Sequence, residues 1–139
     1  MKVLIIGAGA VGGYFGGRMA ETGIDVTFLV RQKRKELLEK NGLIIKSPRG
    51  NFSTNPKLVV SEKLEHVFDV ILFTNKAYDL DAVLQIDLPV NEDTIIIPLL
   101  NGYVHLKKLE AKFPNAKLFG GIAHIFSTLS GEGEIHHFN

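Results

Sequence analysis

Six residues near the amino terminus have the types and spacing of a phosphate-binding loop. The pattern G-x-G-x-x-G is formed by Gly7, Ala8, Gly9, Ala10, Val11 and Gly12. In such a loop the first glycine makes a tight turn, the second lets a pyrophosphate approach the backbone, and the third allows close packing of a helix on a strand. The alternative is that the glycines only permit a sharp turn. Because the motif follows a β-like run and precedes a helical pattern, it favours binding of a dinucleotide.

A basic segment lies where dinucleotide-binding proteins distinguish NAD from NADP. NAD-selective sites have Asp or Glu about 20 residues beyond the loop, where the carboxylate binds the ribose 2′-hydroxyl. This chain has Arg31 there, followed by Gln32, Lys33, Arg34 and Lys35. The alternative is a solvated first turn of a helix, although cations are unfavourable at a helix amino terminus. We predict that Arg31, ahead of Arg34, binds a 2′-phosphate and that NADP(H) is preferred to NAD(H).

Two polar pairs follow apolar runs further along the chain, namely Asn75-Lys76 and Asn101-Gly102. Ligands of an open α/β sheet bind beyond the carboxyl ends of its strands, so both pairs are expected to face a cofactor. A lysine can neutralise a phosphate or a substrate carboxylate, and an amide can hold a ribose or a substrate oxygen. The alternatives are an exposed lysine at the start of a helix and an ordinary Asn-Gly turn.

The histidines provide weaker candidates. His124 falls in an apolar run, and we expect it to be hydrogen-bonded at the end of a buried strand rather than catalytic. His136 and His137 are adjacent and would point to opposite faces of a strand, which argues against joint ligation of a metal. We therefore predict no metal site.

The hydrophobic pattern predicts the elements that position these residues. Apolar β-like runs cover residues 2–7, 25–30, 69–74, 94–98 and 118–126, and helical patterns cover residues 10–22, 33–40, 80–84 and 104–112. Residues 43–60 break this alternation with short β-like runs around a Pro- and Gly-containing turn. The sequence thus predicts an α/β fold with a doubly wound, mainly parallel sheet and an antiparallel excursion around residues 43–60.

Composition narrows the class of protein. The chain has 139 residues, of which 45% are hydrophobic, and a formal net charge of +1. This length suits one globular domain, and the near-neutral charge indicates neither a nucleic-acid partner nor a membrane partner. No cysteine is present. Because no apolar run is long enough for a signal peptide or a membrane span, we expect a cytoplasmic protein.

These motifs together resemble a known family. Residues 2–12 (KVLIIGAGAVG), Arg31, residues 74–77 (TNKA) and residues 100–102 (LNG) are similar to the amino-terminal domain of ketopantoate reductase, also called 2-dehydropantoate 2-reductase. The resemblance covers essentially the whole chain and implies an NADP-binding Rossmann-type domain spanning residues 1–139. Residues 120–126 (GGIAHIF) are similar to the family's next strand, so Phe126 is a candidate cofactor contact.

The resemblance also implies roles. The glycine loop would hold the pyrophosphate and Arg31 the 2′-phosphate, while Lys76 and Asn101 would lie at the nicotinamide end, with Asn101 near substrate. NADPH would deliver a hydride to the C2 ketone of ketopantoate, giving pantoate for pantothenate and coenzyme A biosynthesis. The family's catalytic lysine lies in a helical carboxyl-terminal domain, which these residues do not match, so the chain alone is expected to be inactive. That domain is the expected partner, and a homodimer stays open.

Two alternatives stay open on the sequence alone. One is a regulatory nucleotide-binding domain of an ion-transport system, whose second strand typically ends in Asp rather than a residue such as Arg31. The other is a different NADP-dependent reductase of a 2-keto or β-hydroxy acid, because a cofactor-binding domain carries little information about substrate.

Overall fold

The structure is a computed structural model that describes residues 1–76, 79–100, 102–130 and 133–138. Its helices are α1 (Ala10–Glu21), α2 (Gln32–Asn41), α3 (Leu80–Val83) and α4 (Val104–Lys112), with a 3₁₀ turn at Ser61–Lys63. Its strands are β1 (Lys2–Ile6), β2 (Asp25–Leu29), β3 (Leu43–Lys46), β4 (Phe52–Thr54), β5 (Lys57–Val59), β6 (Val70–Phe73), β7 (Ile95–Pro98), β8 (Lys117–Leu118), β9 (Ser127–Leu129) and β10 (Ile135–His137).

The main sheet has six parallel strands in the order β5-β2-β1-β6-β7-β8. From β1 the chain first builds outward through β2 to β5 and then returns to add β6, β7 and β8 on the other side. The direction of winding therefore reverses beside β1, which is where ligands bind in folds of this type. The predicted α/β fold with a doubly wound parallel sheet is confirmed.

Both faces of β1 are buried, which explains its uninterrupted apolar sequence. Leu4 and Ile6 pack in one core cluster with residues of α3, α4 and β7. Val3 and Ile5 pack in the other, which includes side chains from α1, α2, β2, β3 and β10. Because side chains alternate across a strand, one short segment links the two halves of the core.

A second, four-stranded sheet has the order β4-β3-β10-β9. The antiparallel pair β3 and β4 forms the predicted excursion, whereas β5 leaves it and joins the main sheet in parallel beside β2. Strand β10, from the end of the chain, pairs in parallel with β3 and antiparallel with β9. In this strand His137 is buried and His136 is half-buried, as expected for opposite faces.

One predicted strand is wrong over most of its length. The run over residues 118–126 contributes only its first residue to β8, and residues 119–126 have no regular secondary structure. This segment passes beside the end of β7, where a Cβ added to Gly121 would lie 2.9 Å from the carbonyl oxygen of Pro98. An apolar run without strong periodicity does not distinguish a buried strand from a partly buried extended segment. Across the described ranges, no helix has the length and apolar character needed to cross a membrane.

Candidate dinucleotide-binding site

A cleft of about 500 Å³ opens at the carboxyl ends of β1, β2 and β6. These ends meet because Ile6, Leu29 and Phe73 stand in register across the three strands. The cleft brings together most of the residues predicted from the sequence, namely Gly7, Ala8, Gly9, Ala10, Val11, Arg31 and Lys76. Gly12 lies below its surface, and Asn101 lies outside the described residues.

Gly7 and Gly12 are required by the protein's own packing. Gly7 has a φ of +97°, a conformation that disfavours side chains, and its N–H donates to the carbonyl of Leu29 at 2.9 Å. A Cβ added to Gly12 would overlap the hydroxyl of Thr74 and the carbonyl of Gly7. These two glycines make the turn and the close approach of α1 to the sheet.

Gly9 is different, because no contact among the described residues requires a glycine there. Its φ of −84° is open to any residue, and an added Cβ would meet no protein atom within 4 Å. Gly9 nevertheless lines the cleft at the amino terminus of α1, where helix N–H groups favour an anion. A side chain at this position would fill the space that a pyrophosphate occupies in G-x-G-x-x-G loops. The residues present therefore fit a dinucleotide.

The two arginines of the basic segment both line the cleft, but they differ in exposure and in hydrogen bonding. Arg31 is 82% exposed, and its Nη2 lies 3.5 Å from Asp79 Oδ1. Arg34 is half-buried and donates from Nε and Nη2 to the Ala8 carbonyl at 3.2 and 2.6 Å. Burial lowers the pKa of the Arg34 guanidinium from its ordinary value. Arg31 therefore has a side chain available for a ligand, whereas Arg34 is committed to the glycine loop.

Asn75 and Lys76 lie on the opposite wall, directly after β6. The Nδ2 of Asn75 donates to the carbonyl of Lys76 at 3.0 Å, while its Oδ1 is buried without a hydrogen-bond partner among the residues that the structure describes. A buried acceptor without a donor is costly, so this oxygen suits a donor group on a ligand. Lys76 is exposed at the cleft wall.

Sequence reasoning missed part of the cleft. Val60, Ser61 and Glu62 contribute from the segment after β5, and Val83 and Ile86 provide apolar surface from α3 and the turn beyond it. Apolar walls suit a flat heterocyclic base. No motif marks these residues, because they reach the cleft only through the pairing of β5 with β2 and the packing of α3.

The structure does not bring Phe126 or His124 to this cleft. Phe126 is 63% exposed and stacks edge-on against Phe138, with ring centroids 5.5 Å apart. His124 is exposed within the irregular segment, so its expected place at the end of a buried strand is wrong. Within the described part of the chain, no group of three His, Cys, Asp or Glu residues could hold a metal ion.

The sequence pattern of the family described as "Ketopantoate reductase PanE/ApbA" matches residues 3–139. The chain belongs to this family. Ketopantoate reductases and their relatives are oxidoreductases acting on CH–OH groups. The uncharacterized oxidoreductase YkpB of Bacillus subtilis is 49% identical over 138 residues, which are 99% of this chain and 45% of that protein.

Solved structures support the same family assignment. A 2-dehydropantoate 2-reductase from Geobacter metallireducens aligns with 100% of this chain and 46% of its own, at 30% identity and a TM-score of 0.88. A ternary structure of D-mandelate dehydrogenase with NADH and anilino(oxo)acetate aligns over the same shares, at 26% identity and a TM-score of 0.89. The chain thus spans less than half the length of these ketopantoate reductase relatives.

Proposed function

We propose that this chain is the NADPH-binding domain of a 2-dehydropantoate 2-reductase-like enzyme, which reduces the C2 ketone of ketopantoate to pantoate. The observation that supports it most directly is the open space at Gly9, on the wall of a cleft at the carboxyl ends of parallel strands. No contact in the described part of the chain accounts for that glycine, whereas a pyrophosphate on the helix N–H groups does. Family membership supports the same activity.

The preference for NADPH rests on the end of β2. Arg31 stands there in place of an acidic residue and is exposed at the cleft, and among the described residues its one contact at salt-bridge distance is to Asp79. A guanidinium can bind a phosphate through two parallel hydrogen bonds. We expect Arg31 to bind the doubly charged 2′-phosphate more strongly than it binds the single carboxylate of Asp79. Glu62 also lines the cleft, which would disfavour the 2′-phosphate if the two groups approached closely.

The chain's own residues would bind and orient the cofactor. The glycine loop and the first turn of α1 would hold the pyrophosphate, and Lys76 and the Asn75 amide would lie along the opposite wall. When bound, the cofactor supplies a hydride for a carbonyl carbon. The proton for the resulting alkoxide would come from outside this chain, within the half of its relatives' length that the chain does not span.

A second candidate is a reductase of another 2-keto acid. It is favoured by the D-mandelate dehydrogenase structure, whose TM-score of 0.89 is as high as that of the ketopantoate reductase neighbour. That structure contains NADH, so both the substrate and the nucleotide could differ. Arg31, which stands at the end of β2 in place of an Asp, counts against the ion-transport alternative. For each of these candidate functions we propose a cytoplasmic location. A chain without cysteine has no need of an oxidising compartment for disulfides.

Nucleotide preference tests the proposal. Calorimetric titration of the 139-residue chain should show tighter binding of NADPH than of NADH. Arg31→Ala should weaken NADPH by about 1.5–3 kcal/mol, the value of hydrogen bonds to a charged group, and should leave NADH nearly unchanged. Lys40→Ala removes a positive charge at the far end of α2 and is the control. Equal affinities in the unmodified chain, or equal losses in the Arg31 variant, would remove the basis for a 2′-phosphate site.

A further inference from the structure

Arg34 has a different environment from the other basic residues of its segment. Its guanidinium is half-buried and forms no salt bridge with any carboxylate in the described ranges. Burial also lowers the pKa of this guanidinium, because the charged form loses hydration. A cation held in this state, on the wall of a cleft, attracts an anionic ligand more strongly than an exposed lysine does.

The partner of Arg34 is the loop that the proposed pyrophosphate would approach. A phosphate-binding loop must present its N–H groups to the anion, and any carbonyl oxygen without a donor nearby would repel it. Three successive carbonyls of this loop have donors: Ala8 accepts from Arg34, Gly9 from the N–H of Gly13 at 2.8 Å, and Ala10 from the hydroxyl of Ser127 at 3.0 Å. The Ala8 carbonyl depends on a side chain 26 residues away.

Packing keeps the guanidinium in this place. A Cβ added to Gly133, two residues before β10, would lie 2.7 Å from Arg34 Nη1 and 2.8 Å from Leu37 Cδ2. Arg34 therefore lies between the glycine loop and Gly133. To reach a 2′-phosphate, Arg34 would have to give up both hydrogen bonds to Ala8. Arg31 is 82% exposed, so its side chain can move to a ligand without that loss.

We propose that Arg34 is a positioning residue for the pyrophosphate: its guanidinium holds the Ala8 carbonyl and places a fixed positive charge beside the glycine loop. This rests on the proposed function and extends it. Arg34 then strengthens binding of every ligand that carries a pyrophosphate, with or without a 2′-phosphate. Arg31 acts only on ligands that carry the 2′-phosphate.

Four probes separate these two roles in calorimetric titrations of the full chain. NADPH has both groups, NADH and ADP have the pyrophosphate alone, and adenosine 2′-monophosphate has the 2′-phosphate alone. Arg34→Met should weaken NADPH, NADH and ADP by a common factor of about 10- to 100-fold, and adenosine 2′-monophosphate by less than about 2-fold. Arg31→Met should weaken NADPH and adenosine 2′-monophosphate and leave NADH and ADP nearly unchanged. Lys40→Met, a charge-matched control on the same helix, should change none of the four.

Arg34→Lys tests the geometry, since it keeps the charge but lacks the two-pronged contact with Ala8. It should bind the three pyrophosphate ligands more tightly than Arg34→Met and less tightly than the unmodified chain, and the losses should shrink at high salt. If Arg34→Met does not fold by circular dichroism, equal losses of NADPH and NADH in Arg34→Lys support the proposal.

Three outcomes would overturn it. Loss of NADPH alone would make Arg34 a second ligand of the 2′-phosphate, and unchanged affinities in folded variants would leave it a purely structural role. Failure of the unmodified chain to bind any nucleotide would contradict the proposed function itself, and this inference with it. That last pattern is distinct from the first two, in which the unmodified chain binds.

Discussion

Gly9 and Gly12 belong to the same motif, but they are glycines for different reasons. A side chain at position 12 would collide with Thr74 and the backbone of Gly7, so folding requires this glycine. A side chain at position 9 would project into the cleft without touching the protein. Substitution at position 9 therefore separates binding from folding, which few positions of a binding loop allow.

Gly9→Val should abolish binding of NADPH and leave a folded domain, because the new side chain would occupy the approach of the pyrophosphate. Circular dichroism and calorimetric titration on the same sample measure both properties. Gly120→Val is a matched control, since Gly120 also has open space around its Cβ position but lies outside the cleft. A folded Gly9 variant with normal affinity would show that the loop is only a turn.

At the scale of elements, α1 is held against β2 and the second sheet by glycines. Cβ atoms added to Gly13, Gly16 and Gly17 would approach Ile135, Phe28 and Ile45, respectively, too closely for ordinary contact. Each glycine in a helix costs about 1 kcal/mol relative to alanine, and close packing of the helix compensates for that cost. These contacts therefore assign the three glycines to packing.

Gly16→Ala should lower the free energy of unfolding by about 1–3 kcal/mol, since overpacking outweighs the gain in helix propensity. The added Cβ would lie 2.5 and 2.6 Å from ring atoms of Phe28. Urea unfolding followed by circular dichroism measures the change. Combining it with Phe28→Leu should give less than the sum of the two single losses, because the smaller side chain relieves the contact. Higher stability of Gly16→Ala would contradict the packing explanation.

At the scale of the whole molecule, the chain contains the cleft proposed for the cofactor and spans 45% of the length of its Bacillus relative. Lys76 is the lysine on the wall of this cleft, and by resemblance it contacts the cofactor rather than a ketone oxygen. We therefore expect the proton donor to lie outside these 139 residues.

The purified chain, saturated with NADPH, should not oxidise NADPH at a useful rate when ketopantoate is added. General acid catalysis alone contributes about 10²–10⁴-fold to such reactions, and positioning of the ketone contributes more. The decrease in NADPH absorbance measures the rate, and a full-length 2-dehydropantoate 2-reductase of the same family serves as the comparison. Robust turnover by the chain alone would show that Lys76, His124 or another of its groups is the acid.

The sequence by itself determined the features that depend on neighbouring residues. The apolar run of β1 predicts a strand buried on both faces, and the glycine pattern after it predicts a turn into a helix at the binding edge, because both signals are local. Arg31 could be placed in the cleft because it follows the second predicted strand, and the carboxyl ends of parallel strands lie at one edge of the sheet.

Only the tertiary structure decided the features that depend on contacts between distant residues. Three features depend on which apolar surfaces the rest of the folded chain leaves uncovered. They are the pairing of β10 with β3, the departure of β5 into the main sheet and the irregular path of residues 119–126. The same holds for Arg34, which reads in the sequence as one more cation of a basic segment. Its hydrogen bonds to Ala8 exist because α2 packs beside the glycine loop, and no local pattern encodes that distance.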